Sequence, residues 1–419
     1  MTISSHAQCA KASIELGPSL VSGRSPVIDG LRGLAVLQVI IFHFAIIGCK
    51  LELGAALWEQ IYWHVAGIGW AGVDLFFVIS GFLITGILFE SRNGARYYRT
   101  FYLRRTIRIF PLYYMSLAFA FGIAPFVLRL MNSKEDVIRE LIQPSTQAFA
   151  WLYLLNWRIG LGGWSGVSVY LRHFWSLSIE EQFYLGWPFI VRTLERRRLM
   201  AVCSLMILMS LGLRLTFFLL GMPLAAFCVT FCRLDSLAIG GIVALAMRDI
   251  RDWAIIRKVA PFSTALALIG LIVLLGVTRD VSYDKVWMGT IGLSLWGIFF
   301  GSLLVLALEA KTKDVLYRTS SWPFLRFLGK YSYCLYICHQ PLIEALAHFG
   351  VQSDHLARIL KSRLLAILAV NGIGFSLAIL IALLSWHLFE KQLLKLKELP
   401  ALQYITAHKR SAEVAVTVN

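Results

Sequence analysis

Arg32 and His43 stand eleven residues apart on the first hydrophobic stretch of the chain. At about 100° per residue that interval is roughly three helical turns, so both side chains lie on nearly one face. At about 1.5 Å per residue His43 lies roughly 16 Å deeper, near the middle of a bilayer about 30 Å thick. A titratable imidazole at that depth is costly unless it works or is paired. Two roles fit: a general base in line with a surface cation, or a structural histidine bonded to a neighbouring helix.

Other segments put polar groups where lipid-facing helix would have none. The run Gly72 to Phe82 carries Asp74 and Ser80 inside an apolar stretch. Small residues there allow close helix approach, but an intramembrane carboxylate usually faces a cavity or a partner. Arg105 and Arg108 share a helix edge just before Pro111. Two guanidinium forks on one face suit a phosphorylated ligand, and also suit a plain cytoplasmic anchor. The run His173 to Tyr184 places Glu180 and Glu181 side by side, about 10 Å below the outer surface. Both cannot face lipid, and Arg233-Leu-Asp235 at the start of another span offers a partner. In Tyr331 to Pro341, Tyr333 and Tyr336 share a face, and His339 lies near mid-span. Pro341 interrupts the helix ladder and frees a carbonyl for a ligand. His339 is the second choice to His43 as a catalytic group.

The elements that must carry these residues are transmembrane helices. Of 419 residues, 58% are hydrophobic and only 15% charged, against about 25% charged in an ordinary soluble domain. The mean hydropathy is +0.70. The expected fold is an all-α, polytopic transmembrane bundle. Apolar stretches fall near 31–49, 69–89, 109–130, 174–193, 199–220, 229–247, 259–277, 286–309, 332–349 and 364–389. A patch at Ala148–Leu155 is too short to span and reads as re-entrant or interfacial. The segment Arg92–Arg108 carries six arginines and no acid, so it is expected in the cytoplasm. Ten spans with both termini cytoplasmic keep the other basic loops on that side, leaving Lys134 and Asp354 outside. The organisation expected is a polar N-terminal segment 1–27, a membrane domain 28–391 and a cytoplasmic tail 392–419. No cleavable signal peptide is expected from the polar start.

The net charge of +16 is confined to short segments between apolar stretches, which argues for topology and against nucleic-acid binding. Seven cysteines read mainly as small buried apolar residues. A metal site from Cys334, Cys338 and His339 is disfavoured, because adjacent positions 338 and 339 diverge by about 100° and no carboxylate completes the set.

Taken together, six motifs resemble the acyltransferase 3 family. They are Asp29-Gly-Leu-Arg-Gly-Leu-Ala with Arg32 and His43, the Asp74–Phe82 run, and Arg105/Arg108. The others are Trp175-Ser-Leu with Glu180 and Phe183-Tyr184, Arg233-Leu-Asp235, and Tyr331–Pro341. The order matches the family's and covers nearly the whole membrane domain. One departure is Lys391 after Glu390, where relatives often have proline. Some relatives also carry a soluble esterase-like domain after the membrane unit, which is not expected here.

The resemblance implies an integral-membrane O-acyltransferase of the bacterial cytoplasmic (inner) membrane, working among membrane lipids without a bound cofactor or metal. The donor implied is acyl-CoA, commonly acetyl-CoA, and the acceptor a hydroxyl on an envelope or exported carbohydrate, a glycolipid or a related small molecule. Arg32, Arg105 and Arg108 would hold the acyl-CoA. His43 would act as general base, with Glu180 or Asp74 orienting the imidazole or holding the sugar. Asp74, Ser80, Asp235, Tyr333 and His339 would support the acceptor site, with the acceptor entering past Glu180 and Asp235. Direct transfer and a transient acyl-histidine both fit. The competing class is a transporter or flippase of a polar lipid or sugar, which also needs ionisable groups in its bundle. No internal repeat of the transporter kind is evident.

Overall fold

The computed structural model describes residues 25–49, 56–130 and 135–395. Lys134, and most of the expected terminal segments 1–27 and 392–419, lie outside the described residues. Among the described residues the chain is helical throughout, with no strand. Ten helices of 13 or more residues form the frame. They are α1 (Pro26–His43), α2 (Gly72–Ser91), α3 (Tyr97–Ala118), α4 (Phe174–Thr193) and α5 (Arg196–Leu219). The second half holds α6 (Leu234–Ala246), α7 (Ile250–Thr278), α8 (Leu293–Glu309), α9 (Pro323–His348) and α10 (Arg363–Ser385).

Each apolar stretch of the sequence coincides with one of these helices. By length and apolarity seven can cross a membrane, those containing α1, α2, α3, α5, α7, α8 and α10. The three that fall short are informative. The helix α6 is apolar but only 13 residues long, while α4 and α9 are diluted by polar residues. These three carry Glu180, Asp235 and His339.

Burial separates the centre of the bundle from its rim. The apolar window of the span containing α2 is 72% buried, whereas that of α7 is 17% buried. Leu266, Ile269, Ile272 and Val273 on α7, with Leu205 and Leu208 on α5, are left exposed. Such a continuous apolar surface is unfavourable in water and suited to lipid tails.

The arrangement of α1 beside α9 sets the site. A Cβ at Gly33 would overlap the Leu325 carbonyl, and one at Gly329 would overlap the Asp29 carbonyl. Only glycine lets the two backbones touch, the small-residue packing that replaces a hydrophobic driving force in membranes. From that contact the helices run in the same direction for ten residues each and bring His43 level with His339.

The short patch forms two small helices, Pro144–Trp151 and Leu155–Gly162, joined through Tyr153 at φ 55°. They are pinned rather than loose. Asn156 donates to the Thr230 hydroxyl at 2.8 Å, and Gln182 on α4 donates to Asn156 at 2.9 Å and to the Tyr153 carbonyl at 2.7 Å. Basic residues from the loops expected in the cytoplasm also gather. Arg196 pairs with Asp249 at 2.9 Å and with Asp252, and Arg248 pairs with Glu90.

Candidate active site

Two histidines meet in the bundle. His43 Nδ1 lies 2.9 Å from the Val39 carbonyl of its own helix and 3.2 Å from His339 Nε2. His339 is fully buried, and its Nδ1 sits 2.6 Å from the Tyr336 carbonyl. A carbonyl can only accept, so each Nδ1 carries a proton and donates it. His339 Nε2 is then a lone pair facing the Nδ1–H of His43, and the Nε2 of His43 is left free to accept a proton.

A third imidazole extends the row. Pro341 has no N–H, so the carbonyl of Ile337 four residues earlier loses its helical partner. His173 Nε2 donates to it at 3.1 Å, and the His173 and His339 rings lie 5.2 Å apart. The carbonyl expected to face a ligand is therefore held by the protein. Sequence reasoning missed His173 as a partner, because it lies at the start of α4, more than 160 residues from Pro341. The only local signal was a proline two residues past an intramembrane histidine.

Closer to the arginines is a small chamber of about 90 Å³. Arg32, Arg105, Arg108, Ser80, Glu180 and Tyr333 all line it. Ser80 donates to Glu180 at 2.6 Å, and Tyr184 donates to Ser80 at 3.1 Å. The Arg105 guanidinium covers the Tyr184 ring at 4.7 Å, and Arg32 donates to Ser332 at 3.1 Å. Tyr333 donates to the Ile109 carbonyl at 2.8 Å, tying α9 to the helix that carries both arginines. The inner wall is Tyr336, whose hydroxyl donates to the His173 carbonyl at 3.1 Å. His339 lies one turn beyond it.

Two expectations need correcting. The partner of the His43 imidazole is His339, not Glu180 or Asp74. Glu180 lies seven residues along α4 from His173, about 10 Å to the arginine side of the histidine level rather than near the outer surface as expected, and spends its hydrogen bond on Ser80. Nor do Arg233 and Asp235 partner the Glu180–Glu181 pair. Arg233 binds Asp74 at 2.8 Å, and Asp235 binds Arg214 at 2.7 Å. Ser236 also donates to Asp74 at 2.8 Å, and the Arg233 guanidinium sits 5.2 Å from the Phe227 ring. Asp74 and Asp235 are essentially inaccessible, so they hold α2, α5 and α6 together and do not line the chamber. Among the described residues there is no group of three or more His, Cys, Asp or Glu side chains that could hold a metal ion.

A helical bundle with an apolar rim, a histidine pair at its centre and guanidinium groups around an adjoining chamber suits a membrane-embedded group-transfer domain. The profile of an acyltransferase domain matches residues 26–389, and the chain belongs to that family, acyltransferase 3. The bundle is its acyltransferase domain. The chain is similar to the O-acetyltransferase OatA of Staphylococcus aureus strain NCTC 8325 / PS 47, 28% identical over 363 residues. It matches OatA of strain COL at the same 28%. The match covers 81% of this chain and 55% of OatA, so the chain spans about half the length of the curated relatives it matches. No solved structure matches it.

Proposed function

We propose that the chain is an O-acyltransferase that moves an acetyl group from cytoplasmic acyl-CoA to a hydroxyl of a carbohydrate or related exported or lipid-linked acceptor. The observation that carries this reading is the His43–His339 pair, with no hydrogen bond among the described residues on Nε2 of His43, one turn past the Tyr336 wall of a chamber ringed by Arg32, Arg105 and Arg108. The names of the OatA relatives point to acetyl, and a chamber of about 90 Å³ suits a short acyl group.

In the reaction, the acceptor hydroxyl gives its proton to Nε2 of His43 as its oxygen attacks the thioester carbonyl. The tetrahedral intermediate collapses, the C–S bond breaks, and the proton passes from His43 to the leaving CoA thiolate. His339 is a positioning residue: its lone pair accepts from Nδ1–H, fixing the tautomer and supporting the imidazolium that forms. Release of CoA from acetyl-CoA by purified protein tests the reading, because a transporter or flippase would release none. Mass spectrometry of envelope glycans and exported small molecules, with and without the gene, identifies the acceptor.

The arginines are expected to recognise phosphate by geometry as well as charge. Changing Arg105 and Arg108 together to lysine keeps the charge and removes the planar forks. The apparent affinity for acetyl-CoA should fall about tenfold, the loss of one charge-assisted hydrogen bond's worth of binding. Unaltered binding in normally inserted protein would place phosphate recognition elsewhere.

For topology, ten crossings with both termini cytoplasmic in the bacterial inner membrane remain our proposal. The parallel run of α1 and α9 supports it, since an even number of crossings must separate their starts. On a background lacking native cysteines, a cysteine at position 96 should react with impermeant reagent only from the inside, and one at 354 only from the outside. Outside labelling at 96 would invert the scheme.

A further inference from the structure

A second cavity of about 650 Å³ adjoins the chamber, and Arg32, Arg108, Leu83 and Tyr333 line both. Its volume is that of a whole ligand site, roughly 300–1,000 Å³, whereas the inner chamber has room only for a small group. The two therefore form one route with a neck at Arg32 and Arg108.

The outer cavity is lined by four cations, Arg32, Arg108, Arg326 and Lys330, against two carboxylates, Asp29 and Glu390, so its charge is net positive, and its walls are partly aromatic. The helices α1 and α9 both begin at its edge, with Pro26 and Pro323 among the lining residues, so the positive ends of two long helices meet there. Arg326, in the first turn of α9, and Lys330, one turn on, add two cations. Lys330 Nζ lies 5.1 Å from the Trp386 ring, and Phe327 and Phe389 complete an apolar wall. Arg326 forms no ion pair among the described residues.

We propose that this outer cavity binds the nucleotide end of the donor, an adenosine 3′,5′-bisphosphate group. Arg326 and Lys330 take the 3′-phosphate, and the Trp386 wall takes the adenine. Arg32 and Arg108 at the neck hold the pyrophosphate. The roughly 16 Å along α1 from Arg32 to His43 is then left for the flexible arm that carries the thioester. This inference rests on acyl-CoA being the donor and adds the residues that distinguish it from shorter acyl thioesters.

The test uses the full-length protein in uncharged detergent and measures CoA or thiol release with acetyl-CoA and with acetyl-dephospho-CoA, which lacks the 3′-phosphate. The parent should show a KM about tenfold lower for acetyl-CoA, one charge-assisted contact's worth. In the Arg326→Gln/Lys330→Gln protein that preference should fall to about one, through KM for acetyl-CoA with kcat little changed. A merely structural role would raise both KM values together and leave the preference intact, overturning the proposal. Lys330→Arg should retain the preference and guards against a folding defect in the glutamine pair. Adenosine 3′,5′-bisphosphate should compete with acetyl-CoA in the parent and lose potency in the glutamine pair. Competition by phosphatidylglycerol vesicles in place of the nucleotide would assign the cavity to a lipid headgroup and overturn the proposal. Release from neither donor by the parent would sink the acyl-CoA reading itself, an outcome distinct from acetyl-CoA turnover with no 3′-phosphate preference, which sinks only this subsite.

Discussion

Replacing His43 by alanine is expected to lower acyl transfer by roughly 100- to 10,000-fold, the usual worth of a general base, while acyl-CoA binding and thermal stability stay near the parent's. The expectation follows from the free Nε2. Nδ1 is committed to the Val39 carbonyl and His339, so Nε2 is the nitrogen able to take a proton. His43→Gln sharpens the comparison, since an amide replaces a hydrogen bond but is not a base at neutral pH. The quantity to measure is turnover per folded molecule, with folded protein scored by size-exclusion and thermal unfolding. Near-normal turnover in well-folded His43→Gln would remove His43 from the chemistry and leave it a structural link to His339.

The second large effect concerns stability. Asp74→Ala leaves the Arg233 guanidinium buried without its counter-ion, and removing one member of a buried pair costs about 3–5 kcal/mol. Most of the protein should then fail to fold or be lost from the membrane. Arg233→Met alone should do similar damage by stranding the carboxylate. Combining Asp74→Leu with Arg233→Met removes both charges and should recover much of the folded protein, because an apolar pair of similar volume is often neutral relative to a buried ion pair. Yield and thermal unfolding temperature of the four proteins check this. Equal instability of the double variant and the singles would mean that Asp74 or Arg233 does more than balance the other's charge.

Much of this was legible along the chain because membranes impose simple rules. Every apolar stretch of spanning length became a helix, since lipid leaves backbone polar groups no partner outside the helix itself. The spacing of Arg32 and His43, and of Arg105 and Arg108, placed each pair correctly because helical periodicity is local. Pro341 announced a freed carbonyl for the same reason.

Partner choice was not legible. Glu180, Arg233 and Asp235 looked like one charge cluster, yet Arg233 reached across to Asp74, Asp235 to Arg214, and Glu180 to Ser80. Which ion finds which depends on helix rotation and on crossings between segments 21 to 159 residues apart in sequence. The meeting of His43 with His339 depends similarly on Gly33 and Gly329, where missing side chains let two backbones touch. The sequence alone determined that the chain is a helical membrane bundle and named the residues too polar to face lipid, because helix geometry and hydropathy are properties of neighbouring residues. Tertiary packing alone decided that His339 orients His43, that His173 caps the broken ladder, and that the arginines share a chamber with Glu180. Those contacts join helices whose relative rotation no local pattern encodes.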